Sequence, residues 1–169
     1  MKAVLCKQHG LPETLVVEEV PELVPGPKQV VISVKACGVN FPDTLIIQNL
    51  YQFKPPLPFS PGGECSGVIK TVGEGISHLQ PGQPVLAFTG WGGLAEEVIA
   101  PVKNVIPLPP GLDMSVAAAF MMTYGTSYHA LKDRAQLQEG ETLLVLGAAG
   151  GVGLAAIELG KKMGARVIA

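Results

Sequence analysis

A glycine-rich run near the end of the sequence has the residue types and the surroundings of a phosphate-binding turn. Residues 143–146 form a short apolar run typical of a buried parallel strand, and Gly147-Ala148-Ala149-Gly150-Gly151-Val152-Gly153 follows it directly. Apolar residues then continue at helical spacing up to Gly164, the expected end of a helix, and residues 166–168 begin a second strand. This order of strand, glycine turn, helix and strand predicts a βαβ unit that binds the pyrophosphate of a dinucleotide.

Small side chains suit this chemistry, because a diphosphate must come close to the backbone N–H groups at the helix N-terminus. Each favourable anion contact there contributes about 0.3–1 kcal/mol. We expect Gly150 to admit the phosphate and Gly153 to let the helix pack against the strand, while Ala148 replaces the first glycine of the dinucleotide fingerprint. The alternative is an ordinary tight turn between a strand and a helix. The predicted cofactor-binding residues of this turn are Ala149, Gly150, Gly151, Val152 and Gly153.

The elements before this unit are predicted to be mostly strands. Residues 1–110 are rich in β-branched runs separated by Pro and Gly turns, a pattern typical of a partly closed β-barrel. A short helix with Asn40 as N-cap and Pro42 in its first turn is expected to run to about Asn49. The predicted strands are residues 2–6, 15–20, 29–36, 66–72, 84–88 and 95–100.

The sequence pattern changes from strands to helices near Asp113. Residues 113–120 and 123–132 are predicted helices, and the βαβ unit follows them. The predicted domains are therefore residues 1–122 and 123–169. Because a nucleotide-binding sheet normally carries about six strands, we expect this chain to be a fragment of a longer protein.

Composition narrows the classes of function. The formal net charge is −2 with no basic run, which argues against a nucleic-acid partner and against binding to an anionic membrane surface. No apolar stretch reaches the roughly 18–20 residues of a membrane span, and the N-terminus lacks a signal-peptide layout, so a cytoplasmic location is expected. Cys6, Cys37 and Cys65 are scattered, which is typical of reduced, buried thiols.

Several segments together carry a resemblance to a known family. They are Gly140-Glu141 with Leu144, Ala148-Ala149-Gly150-Gly151-Val152-Gly153 and Lys161, then residues 36–43, 61–67 and 123–128. With them the chain resembles the medium-chain dehydrogenase/reductase superfamily, specifically its zinc-free quinone oxidoreductase (zeta-crystallin-like) branch. The resemblance extends over all 169 residues but over only about half of a typical member, and Glu158 stands where glutamine is usual.

The resemblance implies an α/β protein with a β-rich N-terminal part. Residues 1–122 would form a GroES-like catalytic domain, a partly closed β-barrel without its C-terminal return, and residues 123–169 the first βαβ unit of a truncated Rossmann domain. The implied activity is NADPH-dependent hydride transfer to a quinone. The alternatives are an enoyl reductase acting on α,β-unsaturated carbonyls or thioesters, and a non-catalytic crystallin-like or nucleotide-binding protein. A homodimer is implied for the full-length protein.

NADPH itself is expected only from the family. The residue that selects between NADH and NADPH lies roughly 20 positions after the glycine turn, beyond Ala169, so NADH stays an alternative.

A zinc site is not expected. A catalytic zinc needs about three protein ligands drawn from Cys, His and carboxylates. Zinc-dependent relatives have Cys-His after a Gly-Val pair and Gly-His-Glu in a later turn, whereas this sequence has Asn40-Phe41 and Gly62-Gly63-Glu64. Only Glu64 and Asp43 remain as nearby ligands, which is too few.

Three polar residues are predicted to serve catalysis or the cofactor. The amide of Asn40 can donate to the nicotinamide, to the substrate or to water, and its alternative role is the helix N-cap. Tyr51 resembles a family position that lines the substrate pocket, against a plain packing role. Thr126 matches a family position that contacts the nicotinamide, and its alternative role is to cap a helix. Asp43 also fits the family pattern, but in the first turn of a helix it is as easily a surface residue.

Overall fold

The β-branched runs of the first part of the chain form antiparallel strands in the computed structural model, which describes residues 1–169. All six predicted strands are present, and a seventh strand had not been predicted because it holds only three residues. The strands are β1 Lys2–Leu5, β2 Val16–Glu19, β3 Gln29–Gly38, β4 Glu64–Val72, β5 Pro84–Phe88, β6 Glu97–Pro101 and β7 Val105–Pro107.

The strands combine into a curled antiparallel sheet. Five of them pair in the order β6-β3-β4-β5-β7, and β1 pairs with β2. Backbone hydrogen bonds also join β1 to the segment before β6. The Val4 N–H donates to the Leu94 carbonyl at 2.9 Å, and the Glu96 N–H donates to the Lys2 carbonyl at 3.0 Å. Register shifts in β3 bend the strand. The predicted partly closed β-barrel is confirmed.

The apolar core of residues 1–119 is formed by side chains that the strands of this sheet direct inward. Alternate residues of the strands point inward, as the period of two along a strand requires. Val30, Ile32, Ile69, Val85 and Ala87 are among the buried members of the main cluster. The sheet thereby gives a fixed frame to the loops at the ends of its strands.

All three thiols are free. Cys6 and Cys65 are buried as predicted, whereas Cys37 is only partly buried. Burial raises the pKa of Cys6, and it raises the pKa of Cys37 and of Cys65 to about 12. Desolvation disfavours the thiolate form, so these groups are poor nucleophiles in the folded chain.

Two short helices accompany the sheet, α1 at Phe41–Ile46 and α2 at Met114–Ala118. Helix α1 ends before the predicted Asn49, because Asn49 has a left-handed backbone with φ 58°. Helix α2 is capped by Asp113, whose carboxylate accepts hydrogen bonds from the N–H groups of Ser115 and Val116 at 2.8 and 3.1 Å. Single 3₁₀ turns occupy Pro12–Thr14 and Val102–Asn104.

The chain divides into two compact units, Met1–Ala119 and Phe120–Ala169. The second begins with a helical segment in which α3, Thr126–Tyr128, lies between π-helical turns at Met121–Gly125 and His129–Arg134. This segment contains the predicted helix 123–132. None of the helices in the protein combines the length and the apolar composition that a membrane span requires.

The predicted βαβ unit is confirmed in the second unit. Strand β8 is Thr142–Leu144, helix α4 is Gly151–Lys162 and strand β9 is Arg166–Ile168. The two strands are parallel, and the Val145 N–H extends their ladder to the Ile168 carbonyl at 2.8 Å. Gly164 follows the end of α4 with φ 82°, which fits its predicted role at the helix terminus.

Candidate functional site

The turn between β8 and α4 is held in shape by its own backbone. Gly147 has φ 69°, a conformation that residues with side chains rarely adopt. The Gly150 N–H donates to the Gly147 carbonyl at 3.1 Å, and the Leu154 N–H donates to the Gly150 carbonyl at 2.8 Å. The N–H groups of residues 151–153 precede that first bond of α4 and point out of the helix end, where an anion is stabilised.

Gly150 and Gly153 lack side chains for different reasons. A Cβ at Gly153 would collide with the Gly147 carbonyl oxygen and would lie 2.9 Å from the Ala148 Cα, so the fold itself requires glycine there. A Cβ at Gly150 would meet only the Gly147 oxygen, at 3.5 Å, which is ordinary van der Waals contact. The fold does not need a glycine at position 150, and the small residue there leaves room for a ligand.

Helix–strand packing depends on Gly160, a residue that the sequence analysis missed. A Cβ at Gly160 would lie 2.6 Å from Leu143 Cδ2 on β8 and 3.2 Å from Val167 Cγ2 on β9. Gly153 was predicted to have this role, but its nearest neighbours are in the turn. A glycine in the middle of a helix was the feature that pointed to close packing, since glycine is unfavourable there by about 1 kcal/mol.

A crevice of about 500 Å³ opens beside the turn. It is lined by the end of β8, by Gly147 and by the first turn of α4, including Gly150, Gly151, Val152 and Gly153. Ala149, also predicted to bind the cofactor, is exposed and does not line the crevice. The volume lies within the range of about 300–1,000 Å³ typical of small-molecule sites. The crevice and the exposed helix end together fit the diphosphate of a dinucleotide.

Thr126 lies inside a continuous helical segment, next to a residue that contacts α4. The backbone is helical from Phe120 onward, so the alternative role of Thr126 as a helix cap is wrong. Its neighbour Ser127 is buried and donates from Oγ to the Val152 carbonyl at 2.8 Å. Ser127 therefore braces the first turn of α4, a role that its sequence position did not reveal.

Asn40 stands at the start of α1 between two buried carboxylates. It occupies the predicted N-cap position, and it forms a capping box with Asp43. Its side-chain Nδ2 donates to Glu64 Oε1 at 2.9 Å, and its backbone N–H donates to Asp43 Oδ2 at 2.7 Å. Glu64 is 2% exposed and Asp43 is 6% exposed. The position of Asn40 is thus fixed through both its backbone and its side chain.

Asp43 is a buried anchor, and its interpretation as a surface residue is wrong. Its Oδ1 accepts a hydrogen bond of 3.1 Å from the Gly62 N–H, which joins α1 to the Pro61-Gly62-Gly63 turn. Burial raises the pKa of Asp43, and hydrogen bonds from the N–H groups of Asn40, Gly62 and Gly63 oppose that rise. The sequence alone did not place this turn beside the helix.

Glu64 fits into space that a glycine leaves open. Gly38 on β3 is the register partner of Glu64 on β4. A Cβ at Gly38 would lie 2.7 Å from Glu64 Oε1 and 2.5 Å from the Ala118 carbonyl oxygen. The carboxylate can reach Asn40 only because that Cβ is absent.

Tyr51 belongs to an apolar cluster. Its ring packs against a buried group formed by Cys6, Ile46, Ile47 and Phe59. It also meets the ring of Phe53 edge to face, with centroids 5.7 Å apart. These contacts support the packing alternative for the ring, and a role for the hydroxyl in substrate binding stays a prediction.

The side chains that ligate metals do not cluster in this structure. No group of three or more His, Cys, Asp or Glu residues is arranged to hold a metal ion.

The chain is similar to proteins of known family. Residues 26–110 match the model of the alcohol dehydrogenase GroES-like domain. The quinone oxidoreductase-like protein 2 homolog of Nematostella vectensis is 43% identical over 172 residues, which cover 99% of this chain and 46% of that protein. This chain therefore spans about half the length of the curated relatives it matches.

Solved structures resemble the whole chain. The quinone oxidoreductase of Thermus thermophilus, which was also solved in complex with NADPH, matches this chain with a TM-score of 0.86 at 40% identity. The match covers 99% of this chain and 52% of that protein's chain. The JamJ enoyl reductase matches with a TM-score of 0.90 at 30% identity, and the match covers 99% of this chain and 53% of that protein's chain.

Proposed function

This chain belongs to the alcohol dehydrogenase GroES-like domain family. On that premise, we propose that it is part of an NADPH-dependent oxidoreductase. The proposed reaction transfers hydride from nicotinamide to a quinone without a metal. The observation that carries the proposal is the open position of Gly150 above a crevice of about 500 Å³ at the N-terminus of α4. The relatives named quinone oxidoreductase or quinone oxidoreductase-like, one of them solved with NADPH, support the choice of cofactor and acceptor.

When bound, NADPH supplies the hydride, and the protein supplies binding and orientation. The N–H groups of residues 151–153 would hold the diphosphate, since Gly150, Gly151 and Gly153 have no side chain to keep it away. Ser127 keeps this helix end in place through its bond to Val152. The family resemblance suggests that Thr126 and Asn40 contact the nicotinamide, and that Tyr51 lines the substrate pocket.

The chemistry of the residues supports a reaction without zinc. By the family resemblance, Asn40-Phe41 and Gly62-Gly63-Glu64 stand where zinc-dependent relatives have Cys-His and Gly-His-Glu, and neither Phe41 nor Gly63 has a donor atom for a metal. Negative charge that develops on the acceptor oxygen must then be met by hydrogen-bond donors or water. A quinone suits this mechanism, because its reduced ring delocalises the charge.

An enoyl reductase is the second candidate. The similarity to the JamJ enoyl reductase, at a TM-score of 0.90, favours it specifically. Hydride addition to a conjugated carbonyl requires the same orientation of nicotinamide and acceptor. The two activities differ in acceptor, so acceptor turnover separates them.

The test is NADPH oxidation by the purified full-length protein. We expect turnover with 9,10-phenanthrenequinone or 1,4-benzoquinone that exceeds turnover with a crotonyl thioester, and a preference for NADPH over NADH. The reverse order of acceptors would make the protein an enoyl reductase. Tight NADPH binding without turnover of any acceptor would overturn the proposed activity in favour of a non-catalytic, nucleotide-binding role.

The proposal extends to the setting of the protein. We expect a small-molecule substrate, no nucleic-acid or membrane partner, a homodimer and a cytoplasmic location. Light scattering of the full-length protein tests the homodimer, and fractionation of cells tests the cytoplasmic location.

A further inference from the structure

A buried carboxylate is hydrogen-bonded to the side-chain amide of Asn40. Glu64 is 2% exposed, and its Oε1 accepts a hydrogen bond of 2.9 Å from Asn40 Nδ2. Burial of a carboxylate is costly unless hydrogen bonds compensate it, so its presence at this place calls for a function. From the sequence alone, Glu64 was only a candidate metal ligand.

The geometry of the bond selects one orientation of the amide. A carboxylate only accepts hydrogen bonds, whereas an asparagine amide has a donating edge and an accepting edge. The bond to Glu64 therefore turns the nitrogen of Asn40 toward β4, and the opposite orientation would place two oxygens against each other. One N–H of the amide is used in this bond, and an asparagine nitrogen carries a second N–H that can donate.

The surroundings hold the pair in place from both sides. Glu64 is the register partner of Gly38 on the neighbouring strand, and a Cβ at Gly38 would lie 2.7 Å from its Oε1. Asp43 fixes the backbone of Asn40 through a bond of 2.7 Å to its N–H. The capping box also directs the Asn40 side chain toward the Asp43 N–H, so the bond to Glu64 and the capping box together set the amide orientation.

We propose that Glu64 is a positioning residue that orients the Asn40 amide toward the nicotinamide or the acceptor. The inference rests on the proposed function, in which Asn40 contacts one of these groups. It assigns no contact with substrate or cofactor to Glu64 itself. Hydride transfer is sensitive to such positioning, since a displacement of about 1 Å in a reacting group can lower a rate by about a hundredfold.

A double-mutant cycle in the full-length protein tests the inference. Glu64→Gln keeps the shape of the side chain but replaces one accepting oxygen with a donor. We expect it to lower kcat/KM for the quinone about tenfold when Asn40 is present, and less than about twofold when it is combined with Asn40→Ala. Equal losses in both backgrounds, or no loss in either, would overturn the proposal.

A matched control separates positioning from stability. Glu97 is also a buried carboxylate of the same sheet, but it bonds Lys70 and the Leu23 N–H. Glu97→Gln is expected to lower Tm and to leave kcat/KM within about twofold of the wild type. If Glu64→Gln does not fold, Glu64→Asp serves in the same cycle, because it retains an accepting carboxylate while shortening its reach.

A spectroscopic readout is independent of turnover. In full-length protein labelled with ¹⁵N-asparagine, the Asn40 side-chain signals are identified by their loss in Asn40→Ala. We expect one Nδ2 proton to resonate downfield and to exchange slowly with water, and Glu64→Gln to remove both properties. Unchanged Asn40 signals in Glu64→Gln would overturn the positioning role. Absence of quinone turnover in the wild type would instead overturn the proposed function and leave this measurement intact.

Discussion

Asp43 and Gly62 are joined by a hydrogen bond of 3.1 Å from the Gly62 N–H to the buried Asp43 carboxylate. The same carboxylate accepts from the Asn40 N–H, so one side chain connects the start of α1 to the Pro61-Gly62-Gly63 turn. Asp43→Asn retains one accepting oxygen and loses the other. We expect it to lower the free energy of unfolding by about 1–3 kcal/mol, measured by urea denaturation. A loss no larger than that of Asp113→Asn, which keeps a good helix cap at an exposed site, would contradict this.

The stability lost in Asp43→Asn should also depend on pH. Because burial raises the folded pKa of Asp43 above its ordinary value of 3.8, the native state binds the proton more tightly than the unfolded state does. The contribution of this group is fully present below the unfolded pKa and decreases as the pH rises through the folded pKa. The difference in unfolding free energy between the wild type and Asp43→Asn should therefore shrink as the pH rises upward from about 3.8. A difference that grows with pH would contradict the direction of the shift.

The fold could be predicted from the sequence more completely than the site. Periodicity and turn residues located the βαβ unit and six strands, because each of these features is local in the chain. The contact between Asn40 and Glu64 joins residues far apart in sequence, and it depends on the register of β3 and β4 and on the missing Cβ of Gly38. Neither of these is visible in a pattern of residue types.

Glycine roles show the same limit. The turn was recognised from its composition, but the sequence could not tell which glycine the fold requires and which one leaves space for a ligand. That distinction needs the distances from Gly150 and Gly153 to the Gly147 carbonyl. Gly160 was missed because it lies outside the fingerprint.

Gly153→Ala should destabilise the protein without any ligand present. Its Cβ would collide with the backbone oxygen of Gly147, which cannot move aside as the end of a flexible side chain can. We expect a loss of about 1–3 kcal/mol in unfolding free energy, despite the better helix propensity of alanine. Thermal unfolding followed by circular dichroism measures it. A rise in Tm would show that the turn is looser than the structure indicates.

Gly150→Leu should act on the cofactor instead. Its Cβ meets nothing closer than 3.5 Å, so we expect the unfolding free energy to change by less than about 1 kcal/mol. The larger side chain would keep a diphosphate away from the N–H groups of α4, and we expect NADPH affinity to fall at least about tenfold, measured by fluorescence titration. Exposed Ser115 on α2 provides a control variant, Ser115→Ala, which should leave affinity unchanged. Unchanged affinity in Gly150→Leu would refute the site assignment.

The three cysteines should be inert toward thiol reagents in the folded protein. The pKa of Cys37 and of Cys65 is raised to about 12, mainly by burial, and Cys6 is fully buried. Thiolate is the reactive form, so a disulfide reagent at mildly alkaline pH should modify none of these thiols before unfolding and all three in guanidinium. This matters for the proposed function, because quinones also add to thiolates. Rapid modification of Cys37 in the native protein, identified by mass spectrometry, would contradict this prediction. It would show that the Cys37 side chain is accessible and more reactive than its burial indicates.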